Sequence, residues 1–212
     1  MEKKTGNSQN YIVFDFETGG LDSKKHAITE VAMLAIDGES LEEIDRYSSF
    51  IQPYSGLEYS QEALDITGIT MDMINTGKTA KQVANDMVKF FKATGIGRKK
   101  PILCGHNIIA FDIPFMEVLF TENKKDLYKS INEHEFLDTM WMSRHIWTDP
   151  SMKHNLTVSC EREGVEIIDA HRAINDVAAN TELLKSYLKR MRGAGEISTN
   201  KDQHNYREDF NF

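Results

Sequence analysis

Two carboxylates, Asp15 and Glu17, stand two residues apart in the stretch IVFDFETGG at 12–20. Successive side chains on a strand point to opposite faces. Ile12, Phe14 and Phe16 then share one face, while Tyr11, Val13, Asp15 and Glu17 share the other. Burying a charge is costly unless something pairs with it. A lysine or arginine could do so, although none lies on the strand itself. A hard divalent cation is the other partner able to keep both acids ionised, since Mg²⁺ is commonly held by one or two carboxylates and a substrate phosphate. The pair alone leaves both partners open.

Two further stretches carry groups of the same chemistry. In GHNIIAFDIPF (105–115), Asp112 stands before a helix, where Asp commonly caps. From there it could also project over a sheet edge. Gly105 would allow close backbone approach, and Asn107 offers an amide either to its own loop or to a phosphate or sugar. In AHRAINDVAAN (170–180), His171 and Asp176 are five residues apart. On one ideal helix they would point about 140° apart. They converge only if His171 stands in the loop before the helix and Asp176 on its first turns.

The elements that must position these groups follow from periodicity. Residues 11–17, 28–37 and 44–52 read as consecutive strands joined by short turns, an antiparallel meander. ITEVAMLAID is nearly continuous in apolar residues, as a central strand is. The more polar IDRYSSFIQ reads as an edge. Residues 56–77 read as loop with one or two helical turns. Thr79 and Gln82 form a capping-box pattern for a helix that stops at Gly95. ILC at 102–104 and EFLD at 135–138 read as short strands, with helices from Asp112, after Asp138, and from about 156 to Gly164. Asp138 reads as the cap of the helix that follows it. A long helix from Ala173 carries the stripe Val177, Thr181, Leu184, Leu188 and Met191. Strands followed by alternating helices and strands give an α/β fold with a mixed sheet.

The 212 residues suit one domain over 11–192, with a polar extension at 1–10 and a polar tail at 193–212. No apolar run is long enough to cross a membrane, and MEKKTGNSQN lacks the apolar stretch of a secretory signal. Cys104 and Cys160 read as buried thiols, which suits a reducing cytoplasm. The net charge of −8 opposes a long basic track for duplex DNA and favours a small footprint on any nucleic acid. Trp141 and Trp147 read as core, and the remaining histidines as surface or loop residues. Lys99, Lys100, Lys124, Lys125 and Lys129 read as solvated surface or as attraction for a phosphate backbone.

DFETGG, GHNIIAFDIPF and HRAINDVAAN resemble, in order and spacing, the three exonuclease motifs of the DEDD superfamily. The placing of His171 resembles the histidine (DEDDh) branch, which includes the proofreading epsilon subunit of bacterial replicative polymerase, ribonuclease T and oligoribonuclease. FLDTMWMSR and NLTVSCEREGV are similar to segments before the last motif. The resemblance covers roughly Tyr11 to Met191. It implies a ribonuclease H-like mixed five-stranded sheet flanked by helices. It also implies two Mg²⁺ (or Mn²⁺) ions held by Asp15, Glu17, Asp112 and Asp176, with His171 as general base. Thr18 and Gly19 would lend backbone donors to a 3′-terminal nucleotide, Leu21 would wedge against its base, and Asn107 and Phe111 would line the same pocket.

The implied activity is 3′–5′ hydrolysis of single-stranded nucleic acid, DNA favoured, releasing nucleoside 5′-monophosphates in proofreading or end trimming. A stand-alone nuclease and a separate proofreading subunit both fit. The acidic and aromatic REDFNF is a candidate dock for a polymerase or other replication protein. Three alternatives stay open: an exoribonuclease like ribonuclease T or oligoribonuclease, a metal phosphoesterase for small nucleotides, and a non-catalytic nucleic-acid-binding module on the same fold.

Overall fold

The computed structural model describes residues 9–132, 135–168 and 172–199. His171, His134, residues 1–8 and the tail from residue 200, with REDFNF and His204, lie outside the described residues.

Five strands form one mixed sheet in the order β3-β2-β1-β4-β5. They are β1 (Tyr11–Thr18), β2 (Ile28–Ile36), β3 (Glu43–Phe50), β4 (Ile102–Gly105) and β5 (Phe136–Asp138). The first three make the expected antiparallel meander, and β4 and β5 run parallel to β1 and to each other. The burial pattern follows from composition. Apolar β2 is buried along its whole length, while polar β3 is largely exposed at the edge. Asp37 closes the β2–β3 turn by accepting from the backbone N–H groups of Glu39 and Ser40 at 3.0 and 2.9 Å.

The two faces of β1 are covered differently. Ile12, Phe14 and Phe16 pack with α3 (Ala80–Thr94) and α4 (Asp112–Glu122). Val13 lies on the other face, against Val177, Leu184 and Leu188 of α7 (Ala173–Thr199). Each such buried aliphatic side chain contributes about 1.5–3 kcal/mol. Asp15 and Glu17 therefore lie on the α7 side, while Asp112 begins a helix of the opposite layer. The capping box of α3 is present in full, with Thr79 and Gln82 reciprocally bonded. The remaining helices are α1 (Gln61–Thr67), α2 (Met71–Thr76), α5 (Thr139–Ile146) and α6 (Leu156–Glu163). None of the described helices is long and apolar enough to cross a membrane.

Three local expectations are corrected. α7 does not stop at Gly193 but runs to Thr199. A glycine within a helix costs only about 1 kcal/mol relative to alanine, so a helix already anchored by packing can pass through it. Met191, expected on the buried stripe, is 49 % exposed. Trp141 is likewise 49 % exposed, on the outer side of α5, with the Arg144 guanidinium over its ring at 5.2 Å.

Candidate active site

β1 is the central strand, and its two neighbours part company at its C-terminal end. Its antiparallel pairing with β2 runs to Glu17 opposite Glu30, with an irregularity before Thr18. Its parallel pairing with β4 covers only Tyr11, Ile12 and Val13. Beyond Val13 the two strands no longer pair, at the kind of switch point where α/β sheets bind ligands. Phe16 has its backbone N–H on this open side and donates it to Oδ1 of Asp112 at 3.1 Å. Asp112 is the first residue of α4, not its cap; that place is taken by Phe111, which makes no side-chain cap bond.

Asp15, Glu17 and Asp176 converge. Each offers a carboxylate oxygen, and the three oxygens lie within 4.8 Å of one another. Strand alternation puts the first two on the α7 face, and Asp176 joins them from the first turn of that helix. Asp112 is not one of the three; its Oδ1 accepts from the Phe16 N–H. It is nevertheless close enough to act on Asp15.

Electrostatics marks the cluster as unfavourable for bare charges. Burial, then the carboxylates of Asp112, Glu17, Asp176 and Glu30, hold Asp15 well above the ordinary carboxylate range. Glu17 is pushed up to about 7 by burial, then by Asp176 and Glu30, with Arg172 pulling the other way. Asp112 is pushed up to about 8, its burial outweighing the hydrogen bonds it accepts. Among the described residues no lysine or arginine forms an ion pair with Asp15 or Glu17; Arg172 pairs with Glu30. Hard carboxylate oxygens crowded in this way are a donor set suited to Mg²⁺ or Mn²⁺.

Glu30 and Arg172 escape a reading by motif. The signal was available, since Glu30 is an acid inside an otherwise apolar central strand, as Asp15 is in β1.

Asp138 caps α5 as expected, accepting from Met140 and Trp141 N–H, and its Oδ1 also accepts from Asn107 N–H at 3.0 Å. Asn107 sits at φ 66, a left-handed conformation that Asn tolerates. Phe111 is half-buried, with its ring centroid 5.2 Å from that of Phe115. His106 is a loop residue, as expected, and is half-buried. Its ring joins Thr139 Oγ1 at 2.9 Å and the His154 carbonyl at 2.8 Å, tying the 105–111 loop to α5. Lys100 is structural, donating to the carbonyls of Tyr128 and Ile131.

The glycine loop after β1 differs in one respect from expectation. The Gly19 N–H donates to Ala27 O at 2.8 Å and so is not a spare donor. The loop folds back on residues 58–60, where buried backbone must be satisfied internally, and a Cβ at Gly19 would lie 2.7 Å from Glu58 O. Thr18 is buried, its hydroxyl donating to Gly20 O at 2.8 Å. Leu21, by contrast, is 86 % exposed.

Gly105 supports the second motif by close packing. A Cβ there would lie 2.1 Å from Ile108 Cγ2 and 2.8 Å from Phe14 O. Ile108 is fully buried and has no room to swing away. Gly105→Ala is expected to destabilise by about 1–3 kcal/mol, read as a lower melting temperature. An unchanged melting temperature would contradict this placement of the loop.

Comparison with known proteins agrees with the geometry. Residues 12–184 match the RNase_T family model, described as Exonuclease. The DNA polymerase III PolC-type of Oceanobacillus iheyensis is 34% identical over 197 residues, which cover 92% of this chain and 12% of that protein. The chain thus spans about an eighth of the length of that relative. Among solved structures, E. coli Exonuclease I in complex with a dT13 oligonucleotide aligns with a TM-score of 0.72 at 18% identity, over 92% of this chain and 44% of the other. A zinc ion bound form of the E. coli ExoI-ssDNA complex aligns with a TM-score of 0.74 at 19% identity, over 95% and 45%. At these identities the likeness establishes the fold, a ribonuclease H-like mixed sheet flanked by helices.

Proposed function

This chain belongs to the RNase_T exonuclease family, of the DEDD superfamily, and on that premise we propose that it hydrolyses the terminal phosphodiester of single-stranded DNA from the 3′ end, releasing nucleoside 5′-monophosphates. The observation that carries the reading is the meeting of Asp15, Glu17 and Asp176 within 4.8 Å at the open end of β1. We assign the nuclease to residues 11–192.

Asp15, Glu17 and Asp176 hold the divalent ions in this reading, with Asp112 completing the set from the α4 side. When bound there, two Mg²⁺ or Mn²⁺ ions stabilise the attacking and leaving oxygens of an in-line phosphoryl displacement. His171 takes the proton of the attacking water, a task suited to an imidazole near pH 7. Leu21, exposed beside the glycine loop, contacts the terminal base, and Thr18, Asn107 and Phe111 shape the walls around it. DNA is the substrate the relatives support, being a DNA polymerase by name and an exonuclease crystallised with DNA oligonucleotides. They also support a polymerase or other replication protein as partner. The two free, buried cysteines suit a reducing cytoplasm.

The test uses matched DNA and RNA oligonucleotides, labelled at the 5′ end, with Mg²⁺ or Mn²⁺. A ladder shortening from the 3′ end, faster on DNA, with deoxynucleoside 5′-monophosphates as product, is expected. Faster loss of RNA would transfer the assignment to an exoribonuclease. Mn²⁺ binding with hydrolysis of neither would leave a binding module.

A further inference from the structure

Glu30 is 3 % exposed on β2, directly across the ladder from Glu17. Three donors converge on its carboxylate. Arg172 Nε reaches Oε2 at 3.1 Å and Arg172 Nη2 reaches Oε1 at 3.0 Å. The backbone N–H of Ala173 reaches Oε2 at 3.3 Å. The same guanidinium lies over the Phe50 ring of β3 at 5.3 Å. On its other side, the Arg172 carbonyl accepts from the N–H groups of Asn175 and Asp176 at 2.8 and 3.0 Å. One residue therefore joins β2, β3 and the first turn of α7, immediately after His171 in sequence and four residues before Asp176.

Resting on the nuclease reading above, we propose that the Glu30–Arg172 pair is a positioning clamp, which fixes the height and rotation of the first turn of α7 so that Asp176 meets Asp15 and Glu17. Packing alone gives no reason for the pair. An apolar pair would fill the same space, and buried ion pairs are often no more stabilising than such a replacement. Glu30 also brings a further negative charge beside an already acidic cluster. What the pair supplies is geometry, since a guanidinium meets a carboxylate as a planar two-pronged fork. Misplacing a group by about 1 Å can cost about a hundredfold in rate.

Arg172→Lys keeps the charge and loses the fork. With the full chain, kcat on a single-stranded DNA oligonucleotide is expected to fall at least about tenfold, with KM within about twofold. Mn²⁺ affinity, measured by calorimetry without substrate, is expected to weaken at least about threefold. Glu30→Gln, which keeps the shape but offers the fork only one acceptor, is expected to do the same, and decides the matter if the lysine variant does not fold. Wild-type kcat and Mn²⁺ affinity in either folded variant would overturn the clamp while leaving the nuclease standing. A wild-type protein that neither binds Mn²⁺ nor hydrolyses DNA would bring down the nuclease reading instead.

Discussion

Asp15→Asn is expected to lower DNA hydrolysis by about a thousandfold or more and, at pH 8 without metal, to raise the melting temperature. On the proposed nuclease reading, the first effect follows from removing one carboxylate that would hold the metal; a thousandfold is only about 4 kcal/mol of barrier, modest for a lost ligand in metal-assisted phosphoryl displacement. The second follows from the surroundings of Asp15. Burial and four neighbouring carboxylates all oppose its charge, and asparagine of the same shape carries none. The sign of the stability change separates this from a structural role. Were Asp15 held by an arginine or lysine, its neutralisation would strand that cation and lower stability, as breaking a buried pair does. A melt in EDTA and a turnover assay with Mn²⁺ on the same preparation check both halves. Near-normal turnover, or a clear fall in melting temperature, would remove Asp15 from the cage.

The parts of this fold that the sequence made legible are those where local chemistry and tertiary packing agree. Alternation in β1 placed Asp15 and Glu17 on one face, and the structure keeps them there, toward α7. The apolar run of β2 marked a central strand, and Thr79 with Gln82 marked a helix start, because both signals are local. Long-range matters were not legible. Asp112 looks like a cap from its position before a helix. Only the early end of the β1–β4 ladder reveals that the Phe16 N–H is free to donate to its carboxylate. The donor expected from Gly19 is engaged with Ala27, a residue brought near by the fold of a loop and not by any sequence pattern. Glu30 is visible as one acid in an apolar run, but its role is not legible until Arg172, 142 residues away, is seen on it.

The carboxylate site should also write itself into the pH dependence of stability, with a sign opposite to that of ordinary salt-bridged acids. In the unfolded chain Asp and Glu release their protons near pH 4. In the folded, metal-free protein Glu17 holds its proton to about 7 and Asp112 to about 8. Between these limits the folded state binds more protons than the unfolded one, so stability falls as pH rises, and it levels off once the folded groups have also ionised. His106 and His154 work in the other direction. Their pKa values are lowered, by burial first, so below about pH 6.5 the unfolded state binds their protons more readily and stability rises with pH. The decline is therefore expected to be clearest between about pH 6.5 and 8. Excess Mn²⁺ favours the ionised carboxylates in the folded state and should flatten it, so the rise in melting temperature on adding metal grows with pH. Melting curves from pH 5 to 9, in EDTA and in Mn²⁺, test this. A metal-free melting temperature that climbs from pH 6.5 to 8 would mean that these acids are already paired with cationic side chains, and the metal cage would go with that result.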